Sequence, residues 1–243
     1  MHDHGHLRRA VVLSQLGGHC GQKGWRRLMT SQLRQNAVGQ SRSTHRRGPV
    51  ETTDLRRRGF PFRSGRLCLD FVATVAKRGL DDREMLVEPA NLATWLHVAQ
   101  LPEPAVDVTP GLLSDARTLR EAIHELTRAR VDGRTPDRAA IGTVNAAAQV
   151  GTPAVTLGPD GLTAVPAASA ALDQILSIIA RDAIDLFSGP YAHRIHACRA
   201  PDCSLFFVDR SRPGTRRWCA MAACGEKASS ATYRQRHASR PRH

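Results

Sequence analysis

The stretch CRAPDCSLFFVDRSRPGTRRWCAMAACGEK, residues 198–227, holds four of the six cysteines in the chain. Their spacing is symmetric: Cys198 and Cys203 bracket four residues, fifteen residues follow, and Cys219 and Cys224 bracket another four. Zinc takes four thiolates in a tetrahedron, and pairs of cysteines on tight turns supply two ligands each. A bracket of four residues lies at the wide end of the usual spacing, and the fifteen-residue gap is long enough for a hairpin that returns the chain to the metal. SLFFVD, residues 204–209, reads as a strand between the ligand pairs, and SRPG, residues 211–214, as its turn. Two other readings compete. Disulfides are disfavoured in a reducing compartment, and the spacing fits no usual iron–sulfur run. The preferred reading is one structural Zn2+ ion held by Cys198, Cys203, Cys219 and Cys224. Four thiolates close the shell and leave no position for a reactive water. Metal binding also supplies folding free energy that so short a stretch cannot draw from a core of its own. His193 and His196, just upstream, are substitute ligands. Cys68 lies far from this group and reads as a small buried hydrophobe.

The 243 residues carry a net charge of +13, distributed unevenly. Residues 1–66 have 14 Lys+Arg against 3 Asp+Glu, residues 67–188 have 10 against 16, and residues 189–243 have 11 against 3. An acidic middle between basic ends implies that the ends meet a polyanion, and nucleic acid is the common one inside cells. No apolar run approaches the roughly 18 residues that span a bilayer, so no membrane partner is expected. The AVVL run after Arg8 and Arg9 is too short for a secretion signal. The expected location is the cytoplasm, where thiols stay reduced.

Residues 1–58 are rich in Arg, Gly, His, Ser and Gln without a sustained period, and read as a disordered basic extension with Met29 as a second start position. Structure is expected from residue 59. LCLDFVATVA, residues 67–76, is apolar and fits either a buried strand or a short helix. EPANLATWLHVAQL reads as a helix with Pro89 in its first turn and Leu92, Trp95, Leu96 and Ala99 on one face. The strongest helical pattern is GLLSDARTLREAIHELTRARVDG, striped by Leu112, Ala116, Leu119, Ile123 and Leu126 and stopped by Gly133. TPDRAAIGTVNAAAQV is a third helix, with Thr135 as N-cap and Pro136 at the first position. PAVTLGPDGLTAVPA reads as a hairpin around Gly-Pro-Asp-Gly. A last helix covers residues 167–188, striped by Leu172, Ile175, Ile179, Ile184 and Leu186 and ended by Gly189-Pro190. The fold class is therefore mainly α with a small β element (α+β). A helical domain over residues 59–190 precedes a small four-cysteine zinc-finger module with a basic tail over residues 191–243. On this division, loss of one cysteine should unfold the module locally and leave the helical domain standing.

Cations crowd the cysteines. Arg210, Arg212, Arg216 and Arg217 lie between the ligand pairs, and Lys227, Arg234 and Arg236 follow in EKASSATYRQRHASR, which reads as a short basic helix. Arginine suits phosphate contacts and guanine edges, so these residues are the candidate DNA-binding set. Trp218 is expected to pack over the metal.

C-x4-C, LFFVDRS and RRWCAMAACGEK together resemble the CGNR zinc finger of bacterial proteins. In that family the last cysteine opens a Cys-Gly-Asn-Arg motif; this chain keeps Cys224 and Gly225 but has Glu226 and Lys227 next. Upstream, RSGRLCLDFVATV, LREAI at 119–123 and Asn145 resemble the ABATE domain that precedes this finger. Family proteins often show Asp-Phe-Val-Asn-Thr where this chain has Asp70-Phe71-Val72-Ala73-Thr74. The similarity covers about residues 60–238. It implies a stress-induced transcription regulator.

The first functional expectation is thus a regulator whose zinc module binds DNA. Its helical domain would sense a small-molecule effector or form a homodimer. Asp70, Arg120 and Asn145 are polar residues within or beside apolar stripes. They are the candidate ligand pocket, with buried structural hydrogen bonds as the competing reading. The second expectation is a protein-interaction adaptor built on the zinc module. No nucleophile motif, phosphate loop or open metal site is present in the sequence, and no enzyme activity is expected.

Overall fold

The computed structural model describes residues 56–238, all within one compact unit. The expected disorder over residues 1–58 falls, for residues 1–55, outside the described residues; for residues 56–58 it is corrected, because Arg56–Arg57 is ordered by antiparallel pairing with Phe60–Pro61. The architecture is mainly helical with short, two-stranded β pairs, as the sequence implied. No helix among the described residues is long and apolar enough to cross a membrane.

The ambiguous apolar stretch forms a helix, α1 (Leu67–Val72). A helix of this length does not hold by itself in water. Its first turn is capped from a distance: the Cys68 N–H donates to Asp182 Oδ2 at 2.8 Å, and Arg66 pairs with Asp182 at 2.7 Å. Burial of Cys68, Leu69, Phe71 and Val72 does the rest.

Helix α2 (Pro89–Val98) begins on Pro89 and buries Leu92, Trp95 and Leu96 completely. Helix α3 (Pro110–Asp132) starts where Thr109 Oγ1 accepts from the Leu112 N–H at 3.2 Å. It stops at Gly133, whose φ of 68° is the left-handed conformation glycine accepts without strain. Helix α4 (Arg138–Gln149) starts later than expected, because Asp137 rather than Thr135 caps it, accepting from the Ala139 N–H. Helix α5 (Leu172–Ser188) also starts later, because Ser169–Ala170 pairs as a strand with Glu103–Pro104. Leu172, Ile175, Ile179 and Leu186 of its stripe are buried, but Ile184 is 38% exposed. Helices α1 to α5 enclose one apolar core.

Strands β1 (Arg56–Arg57) and β2 (Phe60–Pro61) pair, as do β3 (Val75–Ala76) and β4 (Arg83–Glu84). Strand β5 is Glu103–Pro104 and β8 is Ser169–Ala170. The expected hairpin is β6 (Val155–Leu157) against β7 (Ala164–Pro166). Strand β10 (Phe206–Val208) falls within the expected SLFFVD strand, but its partner differs from the expectation. It pairs backward with β9 (Ile195–Ala197), so the first cysteine pair sits in the hairpin connection, and Ser211–Gly214 is a separate turn beyond it.

The two faces of the β9–β10 hairpin serve different interiors. Side chains alternate along a strand. Ile195, Phe206 and Val208 join the helical core, whereas Phe207 points the other way and packs with the cysteines. Packing therefore runs across residue 190. The Val208 N–H also donates to Ser64 O, just before α1, and the Arg78 N–H donates to Ser204 Oγ. Replacing Phe206 with Ala should cost about 3–5 kcal/mol by leaving a cavity in the shared core. In urea unfolding followed by far-UV circular dichroism, the helical signal should shift to a lower midpoint in a single transition. A helical midpoint that does not move would show that the hairpin is dispensable to the core.

Candidate metal centre and nucleic-acid interface

Local backbone bonds set the four sulfurs. The Cys198 N–H donates to Leu205 O and closes the hairpin, and the Cys203 N–H donates to Ala200 O within the first knuckle. The Arg199 N–H donates to Arg217 O, which brings the second cysteine pair alongside. The Cys224 N–H donates to Ala220 O, where a wide helical turn (Met221–Gly225) leads into α6 (Glu226–Ala238).

The ligand atoms of Cys198, Cys203, Cys219 and Cys224 all lie within 4.8 Å of one another. Cys203 Sγ is 3.9 Å and Cys224 Sγ is 3.5 Å from Cys219 Sγ, too far for an S–S bond. Sulfurs about 2.3 Å from a central zinc stand about 3.8 Å apart in a tetrahedron, so the cluster fits the ion. Neither His193 nor His196 joins it: the His196 ring lies tilted against Phe207, 5.9 Å between ring centres. The thiols restrain one another's ionisation. A hydrogen bond from Cys203 pulls the Cys198 thiol down, while the same contact pushes Cys203 up to about 12. Contact with Cys198 raises Cys219 as well, and burial raises Cys224. Four thiolates this close coexist only with a cation between them.

Asp209 organises the loop that follows β10, a role that sequence reasoning missed. It is fully buried, and its carboxylate accepts the Ser211 N–H at 2.8 Å and the Arg216 N–H at 2.9 Å. Burial works to raise the Asp209 carboxyl, but these bonds prevail and hold it down to about 2. The signal was present in the quoted LFFVDRS: an acid following a strand, before a Ser-Arg-Pro-Gly turn, is placed to cap that turn.

The candidate DNA-contacting cations divide into two groups. Arg216 is structural: its guanidinium lies 4.7 Å over the Phe207 ring and donates to Trp218 O and Cys219 O. Lys227 pairs with Asp202 at 3.2 Å and so ties α6 to the first knuckle. Arg210 donates to Gly65 O and lies over Tyr191. Arg217 is exposed and lies over the Trp218 ring, and Trp218 itself packs half-buried against the cysteine cluster. Arg212 and Arg234 are exposed, with no side-chain partner among the described residues. Arg236 lies in α6, and its side chain is outside the described residues. Arg199, in the first knuckle, is a further exposed cation that sequence reasoning passed over. Its position between two ligands was the available signal.

Two of the three candidate pocket residues sit in buried polar networks. Asp70 Oδ1 accepts the Arg63 and Ser64 N–H groups at 3.1 and 3.0 Å. Arg120 makes a two-pronged pair with Glu84 at 2.7 and 2.6 Å and donates to Thr74 Oγ1. Asn145 is exposed on α4 and lines a groove between helices. Ala73 is buried against the cysteine cluster.

Two family models match the chain. Residues 65–190 match ABATE, described as "Putative stress-induced transcription regulator", and residues 194–237 match the CGNR zinc finger. The chain belongs to the ABATE family. It carries that family's domain directly before the zinc finger. A search of the curated proteins found no match.

Burial pushes the Asp70 carboxyl up to about 7, against the two backbone bonds that favour its charge. The ordinary carboxyl value is about 3.9. Between these values the folded chain holds a proton that the unfolded chain releases, so Asp70 costs stability as pH rises through this window. Asp70→Asn keeps an oxygen acceptor and removes the titration. Denaturant midpoints of the wild type should fall relative to the variant as pH rises from about 4 to about 7, and the difference should then level off. A constant difference would exclude this role for Asp70.

Proposed function

We propose that this member of the ABATE family is a DNA-binding transcription regulator that does no catalysis. Its finger, built on one structural zinc ion, is the DNA reader, and its helical domain is a sensing or dimerisation unit. The observation that carries the reading is the distribution of charge around the cysteine cluster. Arg199, Arg212, Arg217 and Arg234 are exposed around it without an acidic partner among the described residues. Of the three acids in this segment, Asp209 is buried under backbone bonds and Asp202 is paired with Lys227, which leaves Glu226 exposed at the start of α6. Exposed guanidiniums on a metal-braced scaffold suit phosphate contacts, and Arg216, Lys227 and Arg210 hold that scaffold. Such a role places the protein in the cytoplasm, where the thiols stay reduced and available to metal.

The test is fluorescence anisotropy of the zinc-loaded full chain on random genomic duplexes at several salt concentrations. Affinity should fall steeply with salt, and Arg212→Ala and Arg234→Ala should each reduce the logarithmic slope by about one. Cys198→Ser/Cys203→Ser should abolish this finger-dependent part. If the cysteine variant binds like wild type, the basic N-terminal residues carry the binding and the finger is not the reader. Binding to a protein partner with little salt dependence, and none to DNA, would establish the adaptor reading instead.

A further inference from the structure

A groove of about 380 Å³ opens between α3, α4 and α5, away from the cysteine cluster. Its size falls in the range of small-molecule sites. The floor is apolar, formed by Leu126, Val144 and Phe187. The walls are Ile141 of α4 and Ile184 of α5, each 38% exposed. Ile184 is the member of the α5 stripe that the core leaves in water.

The polar residues at the groove are not equivalent. Arg134 is already compensated, with both terminal nitrogens 2.6 Å from the Glu125 carboxylate and Asp132 nearby. Arg130 has no acidic partner among the described residues. Arg130 is exposed, and its Nε donates to Ala192 O at 3.1 Å, which tethers one edge of the guanidinium there and leaves its terminal nitrogens available. The exposed Asn145 amide adds a second polar group on the opposite helix. A guanidinium held in place beside apolar walls is complementary to a carboxylate with an apolar body, because the fork engages two carboxylate oxygens at once.

We propose that this groove is a binding site for a small apolar carboxylate, with Arg130 holding the carboxylate and Ile141 and Ile184 the apolar body. The site also touches the root of the finger. Ala192, which accepts from Arg130, begins the turn that leads into β9, and Cys198 directly follows β9. Ligand binding therefore alters DNA affinity; this part rests on the DNA-reading function proposed above, whereas the site itself does not.

Isothermal titration calorimetry of the zinc-loaded full chain tests the site, with decanoate and 3-phenylpropanoate as probes and 1-decanol as the uncharged control. At least one carboxylate should bind saturably, one per chain, and decanol about tenfold or more weakly. Arg130→Gln should weaken the carboxylate by a similar factor. Ile141→Trp fills the groove from a surface position and should abolish binding without changing the thermal melt, which separates blockage from misfolding. Absence of saturable binding by both carboxylates, equal binding of decanol, or wild-type binding by both variants would overturn the site. Carboxylate binding that leaves DNA affinity unchanged would overturn the coupling and leave the site standing. If the chain binds no DNA, calorimetry still decides the site, so the two proposals fail separately.

Discussion

Burial of one face of the β9–β10 hairpin in the helical core is what makes a metal centre possible at this end of the chain. Two strands of three residues have no stability of their own in water. They are ordered because Ile195, Phe206 and Val208 are buried in the helical core. The opposite side of the same strands then offers Phe207 as the floor of the cysteine cluster. The hairpin connection carries two ligands, Cys198 at its start and Cys203 near its end. The metal centre is thus assembled on a wall supplied by the helical domain. Asp70 reinforces this wall indirectly: it fixes the Ser64 backbone, and Ser64 O accepts the Val208 N–H.

The same frame explains how a cation-rich segment folds. Some cations are used internally. Arg216 covers Phe207 and bonds the backbone of the second ligand pair, and Lys227 bridges to Asp202. The two departures from the Cys-Gly-Asn-Arg pattern find places here. Lys227 joins α6 to the first knuckle, and Glu226 opens α6, where a negative charge favours the helix dipole. Of the exposed arginines that remain, Arg217 also covers Trp218, whereas the Arg199, Arg212 and Arg234 side chains have no such contact among the described residues.

Features that depend on near neighbours were legible in the sequence. The cysteine spacing placed all four sulfurs in one cluster, because each pair needs only a local turn. Helix α3 and its stop at Gly133 followed from periodicity and from one conformational preference. Features that depend on distant partners were not legible. Helix α1 was ambiguous because its cap, Asp182, lies 114 residues from Cys68. The partner of β10 was misread because β9 is too short to signal itself, and its place is set by burial in a core formed elsewhere. Asp70 and Arg120 stood out as polar residues in apolar stripes, but their partners Ser64 and Glu84 come from segments without a clear pattern. The groove at Asn145 is made by side chains on three helices, and no single helix encodes it.

On this view the helical core orders the hairpin, and the metal orders only the layer outside it. Amide hydrogen exchange of the full chain, zinc-loaded and after chelation, separates the two contributions. Chelation should expose the knuckles around Cys203 and Cys224 together with α6, while the Phe206 and Val208 amides keep the protection of the helical core. Loss of protection at Phe206 and Val208 together with the knuckles would overturn this order of dependence, and would make the metal rather than the core the origin of the hairpin.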